Sequence, residues 1–136
     1  MRVSRFHLFV VAATALVVLL IGATSASAHG YVIENGSITH DCCGATAHGT
    51  IYTQYVHDVL YIKVTLQEWV PGTGWVARTS NDNINYSATQ VGAQAHWNCP
   101  IGTTEVRSKV HYEVSNNGNL QHQDTYYKDD TSFVCS

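Results

Sequence analysis

Set aside its first 28 residues, and this chain predicts an all-β fold: a single antiparallel sandwich of two sheets. Three observations carry the expectation. Apolar and polar residues alternate with period two over Leu60–Leu66 and again over Val106–Val114. Turn signals of the Pro-Gly and Asn-Gly kind separate the alternating stretches. No 3.6-residue apolar stripe follows the leader, so nothing in residues 29–136 asks for a helix.

The leader comes first. Arg2 and Arg5 precede an apolar run from Leu8 to Gly22, and small residues end in Ala26-x-Ala28. Charge, greasy core and small-residue exit, in that order, describe a cleaved signal-peptide helix. The run is about 15 residues, short of the roughly 20 needed to span a bilayer. The expected organisation is therefore a signal peptide at 1–28 and one secreted, extracellular domain at 29–136, with no membrane attachment after cleavage.

Strands follow in turn. Ile51–Val56 is rich in Thr, Tyr and β-branched residues. Leu60, Ile62, Val64 and Leu66 form the dry face of the next strand, with Tyr61, Lys63, Thr65 and Gln67 on its wet face. Pro71-Gly72-Thr73-Gly74 turns the chain into a partner strand at Trp75–Thr79. Ser80–Asn85 reads as a polar loop, and Tyr86–Asn98 as one or two further strands. Val106, Val110, Tyr112 and Val114 mark the second clear amphipathic strand. Asn116-Asn117-Gly118-Asn119 is a hairpin turn, because Asn-Gly readily takes positive φ. Leu120–Lys128 and Ser132–Cys135 complete roughly seven strands, a number that suits a sandwich.

Charge removes several function classes. Beyond residue 28 the basic residues are Lys63, Arg78, Arg107, Lys109 and Lys128, against ten Asp and Glu. Without a basic run along the sequence, nucleic-acid binding has no electrostatic footing, and anionic lipid is disfavoured by the same sign. Serine occurs with no nucleophile-elbow context, and His40-Asp41 and His57-Asp58 are neighbours whose side chains point to opposite faces of extended backbone. The expectation is a protein without side-chain catalysis. Its oligomeric state is open.

Cys42, Cys43, Cys99 and Cys135 give an even count in an oxidising compartment, which reads as two disulfides. A bridge between adjacent cysteines is strained, so the favoured schemes send Cys42 and Cys43 each to a distant partner. Either scheme closes loops longer than about 50 residues, the first worth about 4 kcal/mol. The alternative joins Cys99 to Cys135 and leaves a reducible vicinal pair.

Two candidate sites emerge. Cleavage after Ala28 would leave an α-amine on His29, and an amine beside an imidazole chelates Cu(II) well. His40, His48, His57, His96, His111 and His122 are then candidate partners for that ligand pair. The second candidate is aromatic. Eight Tyr and three Trp accompany many Asn, Gln and Thr, as in surfaces that stack on sugar rings and orient them with amides. Tyr61 falls on a wet face, and Trp69, Trp75 and Trp97 fall near strand ends or turns.

Three resemblances add expectations. His29-Gly30-Tyr31-Val32 resembles the mature N-terminus of bacterial lytic polysaccharide monooxygenases; Thr46-Ala47-His48 and Ser132-Phe133-Val134-Cys135 are similar to two of their later segments. That resemblance implies His29 and His48 as copper ligands and Phe133 as the axial neighbour. The early histidine and β content are also similar to the periplasmic copper-resistance β-barrel proteins, although the Asp-x-His pair those carry late in the chain has no counterpart here. A wider resemblance runs over residues 59–135. Val64-Thr65-Leu66-Gln67, Gly74-Trp75-Val76, Trp97-x-Cys99-x-x-Gly102-Thr103, Arg107 and Cys135 resemble small secreted actinobacterial proteins of immunoglobulin-like fold and unknown function. It implies an immunoglobulin-like sandwich and an exported location.

The leading expectation is a non-catalytic binding module for polysaccharide or another cell-surface component. The chemically distinct alternative is a copper protein built on His29, as a carrier or a minimal monooxygenase-like site.

Overall fold

The computed structural model describes residues 30–41, 43–100, 102–129 and 133–135. The leader, His29 and Cys42 lie outside the described residues, as do the side chains of Phe133 and Cys135. The described elements are all strands: β1 (Val32–His40), β2 (Gly44–Val70), β3 (Gly74–Asn98), β4 (Gly102–Thr104), β5 (Val106–Asn116), β6 (Asn119–Asp129) and β7 (Phe133–Cys135). Every pairing is antiparallel. One five-stranded sheet runs β1-β2-β5-β6 with β3 on the other side of β2, and β4 pairs with β7 separately.

Length explains the architecture. A straight strand of 27 residues would reach about 90 Å, far beyond the size of such a domain, so β2 has to bend. It does so between Tyr52 and His57, where its register with β3 shifts: Tyr52 faces Gln90 and His57 faces Ala88. Thr53 sits buried at this corner and donates its hydroxyl to the carbonyl of Tyr55 (2.8 Å), satisfying a group the bulge frees. On β3 the matching kink is Ser87, a non-glycine residue at φ 48°. Before the corner β2 lies between β1 and β3; after it, between β5 and β3. The sheet thus forms two limbs that share β2 and β3.

The limbs meet face to face. Ala45, Ala47, Ile51, Val91 and Ala95 supply small and medium apolar residues from the first limb. Leu60, Ile62, Val64, Leu66, Val106, Val110, Tyr112 and Val114 face them from the second. Burying each of the larger side chains contributes roughly 1.5–3 kcal/mol. Gly49 permits the closest approach, since a Cβ there would lie 2.8 Å from a Val64 methyl and 2.9 Å from a Val110 methyl.

Two hydroxyls tie the limbs together. Tyr112 Oη, buried on β5, donates to Glu34 Oε1 of β1 (2.8 Å) and lies 3.1 Å from His122 Nε2. Tyr126 Oη of β6 donates to the carbonyl of Asn35 (2.9 Å).

The segment expected as a polar loop, Ser80–Asn85, is instead part of β3. Its polarity has a use. Asn81, Asn83 and Asn85 alternate toward the interior side of the second limb and donate Nδ2 to the carbonyls of Gln94, Gly92 and Gln90 (3.1, 2.9 and 2.7 Å). Those three carbonyls lie along the free edge of the first limb, so the asparagines seal the open side where the limbs would otherwise part. Beside the seal lies a cleft of about 530 Å³ lined by His48, Thr50, Asp82 and Gln94 among others.

Other expectations also change. Ile51–Val56 and Leu60–Gln67 belong to one strand, because the corner is a bulge and not a turn. Val32–His40, with no regular apolar alternation, is a strand through its backbone pairing with β2. The Asn-Gly hairpin stands as read, with Asn117 at φ 50° and Gly118 at φ 72°.

Candidate functional site

Strand alternation decides what the outer face of the second limb displays. Since Leu60, Ile62, Val64 and Leu66 point inward, Tyr61, Lys63, Thr65, Gln67 and Trp69 point out. Register then lays out the neighbours. Tyr61 faces Glu113, Lys63 faces His111, Thr65 faces Lys109 and Gln67 faces Arg107 on β5. On the far side of β5, Lys109 faces Tyr127 and His111 faces Thr125. Trp69 faces Trp75 across the β2–β3 hairpin.

At one end of this face the rings gather. Trp69 and Trp75 meet edge to face with centroids 5.5 Å apart. Arg107 lies between two rings, its Cζ 4.5 Å from the Trp75 centroid and 4.5 Å from that of Tyr127. Its Nε donates to Gln67 Oε1 (2.8 Å), which fixes the guanidinium plane. Each cation–π contact at such a surface contributes about 0.5–1 kcal/mol. Trp69 and Tyr127 remain 43% and 48% exposed.

Toward the other end the face turns polar. Lys63, Thr65, Lys109, His111 and Thr125 line a shallow hollow of about 280 Å³. His111 Nδ1 is 3.0 Å from Thr125 Oγ1, and its Nε2 is 3.3 Å from Glu113 Oε1. Burial, with Asp82 and Glu113 close by, raises the Tyr61 phenol above its ordinary range.

Three of the four aromatic residues singled out from sequence, Tyr61, Trp69 and Trp75, therefore share one face. Trp97 departs from them. It pairs with Ala45, packs against the core from the first limb, and carries Arg78 over its ring at 5.7 Å. Arg78 is held by Glu68 (2.6 Å), whose other oxygen accepts from Thr104 (2.9 Å). Trp97 thus packs at the end of the core, away from the outer face of the second limb. Arg107 and Tyr127 join this face through the β2–β5 and β5–β6 registers, which no local sequence pattern signals.

Of the two copper ligands that the sequence suggests, His48 alone belongs to the described residues. His48 faces Ser37 and Gln94 on the first limb, with Nε2 3.0 Å from Thr39 Oγ1. The start of β1, Val32, faces Thr53, five strand positions and about 17 Å away. Gly30 lies farther still in that direction, against Gln54 and Tyr55. No group of three His, Cys, Asp or Glu side chains converges among the described residues. His57 is buried and bonded through Nδ1 to Asn116 (3.0 Å), and His96 bridges Thr46 and Asn98 (both 2.9 Å).

Of the cysteines, Cys99 is disulfide-bonded and Cys43 is exposed. Asp41 Oδ1 accepts from the amides of Cys43 (2.8 Å) and Gly44 (2.9 Å). Those amide bonds, Cys43 foremost, hold its carboxyl below the ordinary range.

No family model matches the chain, and no curated protein does. A solved structure, the crystal structure of a protein from Archaeoglobus fulgidus, is similar over 78% of this chain and 96% of its own, at 8% identity and a TM-score of 0.35, a likeness too slight to carry an argument about fold or function.

Proposed function

We propose that this chain is a small secreted, non-catalytic binding module, an immunoglobulin-like sandwich in broad architecture, which holds carbohydrate on the outer face of its second limb. One observation carries the reading: Trp69, Trp75 and Tyr127 form a partly exposed aromatic surface whose central cation, Arg107, is locked in place. Sugar rings present apolar faces to such surfaces and hydroxyls to flanking donors, here Gln67, Thr65 and Thr125. Ordering cost is small, because the platform is built on paired strands and not on loops.

The test is retention of the purified domain on insoluble chitin, cellulose and bacterial cell-wall polymer. Trp69→Ala is expected to reduce retention at least severalfold with the thermal midpoint nearly unchanged. Absence of retention on every glycan would remove the reading.

A further inference from the structure

Resting on the carbohydrate reading, we infer that the outer face selects acidic polysaccharide, stacking a ring at the Trp75–Tyr127 end and receiving a ring-borne oxyanion in the Lys63–Lys109–His111 hollow.

Charge placement carries the inference. The chain has a formal net charge of −3 at pH 7, and its basic residues are scattered in sequence. Folding nonetheless brings Lys63, Arg107 and Lys109 onto one face, with His111 between the lysines. Arg107 is already engaged by two rings and Gln67. Lys63 and Lys109 have no ion pair among the described residues, although Asp82 faces Lys63 in register and Glu113 is bonded to His111. Lys63 and Lys109 line the same concave surface, no carboxylate is among its lining residues, and an oxyanion seated there is attracted by both. Thr65, which also lines the hollow, adds a hydroxyl donor for the remaining lone pairs, while Thr125 Oγ1 stands 3.0 Å from His111 Nδ1.

Spacing fits an extended polymer. Arg107, Lys109 and His111 are alternate residues of one strand, so the hollow runs from about 7 to about 14 Å beyond the stacking end along β5. A short run of linked sugars can occupy both. A carboxylate on a uronic acid, a sulfate ester and a phosphate ester share the required chemistry, and direct titration tells them apart.

The experiment measures affinity of the mature domain for alginate and polygalacturonate (carboxylated), dextran sulfate (sulfated), a phosphodiester-linked wall polymer, and soluble cellulose and chitin derivatives (neutral). Binding to one acidic class on the order of tenfold tighter than to neutral polymer is expected. That preference should fade as salt rises from about 0.05 to 0.5 M. The double variant Lys63→Gln/Lys109→Gln should lose it while keeping affinity for neutral glycan, and circular dichroism confirms its fold. Equal affinity for neutral and acidic polymers, or an unaffected double variant, would overturn the inference and leave the carbohydrate reading standing. Failure to bind any glycan overturns both. Binding only to vesicles of anionic phospholipid would likewise overturn both and assign the face to membranes.

Discussion

Gly49 and Val64 belong to the same strand and press against each other across the core. A Cβ added at Gly49 would stand 2.8 Å from a Val64 methyl, nearer than real contacts come. Gly49→Ala should therefore destabilise the domain by about 1–3 kcal/mol through overpacking, although alanine is ordinarily the better strand residue. Urea unfolding measures it. Val64→Ala in the same chain should recover part of the loss, since it vacates the contested space.

The asparagine seal makes a separate prediction. Asn83→Ala removes the donor to the carbonyl of Gly92, and the freed carbonyl is left at a sheet edge. The expected cost is about 1 kcal/mol, read from chemical unfolding. Replacing Asn81, Asn83 and Asn85 together by Asp substitutes acceptors for donors along the whole edge. That variant should unfold more easily than the triple alanine form and elute partly as oligomers in size-exclusion chromatography.

Alkaline pH should reveal the two tyrosines that join the limbs. Burial, foremost, raises the Tyr126 phenol from 10.0 to about 12. Burial and the hydrogen bond to Glu34 raise Tyr112 further. A phenol whose pKa is higher in the folded state favours folding fully below pH 10, and the contribution fades as pH climbs through the folded value. Stability should therefore be insensitive to these groups at neutral pH and fall between about pH 10 and 12. Absorbance at the phenolate band should show part of the eight tyrosines ionising late, together with unfolding. Tyr126→Phe should weaken that late step.

Arg107 offers a test of the platform itself. Arg107→Lys retains the charge but loses the planar group between Trp75 and Tyr127. Tryptophan emission should change and glycan retention fall severalfold, with a loss of about 1 kcal/mol in stability. An unchanged spectrum would show that the stack is absent in solution.

Much of this fold is written locally. The alternations at Leu60–Leu66 and Val106–Val114 and the Asn-Gly turn depend only on neighbours, and the structure keeps them. Ser80–Asn85 misled because asparagine in sequence signals a turn, whereas here its amides serve a distant edge. The continuity of β2 through the corner was equally illegible, since a bulge and a turn use the same residues. At the candidate site, Tyr61 and Trp69 could be placed by parity alone. Arg107 and Tyr127 needed the registers β2–β5 and β5–β6 to reveal that they stand beside Gln67 and Lys109.

Because β2 and β3 run unbroken from one limb into the other, the main sheet has no seam among the described residues along which one limb can open and leave the other intact. Loosening at Ser87 or Thr53 would be felt at the aromatic surface and at the asparagine edge together. Melting should accordingly be all-or-none, and a polymer gripping one side should stiffen the whole body.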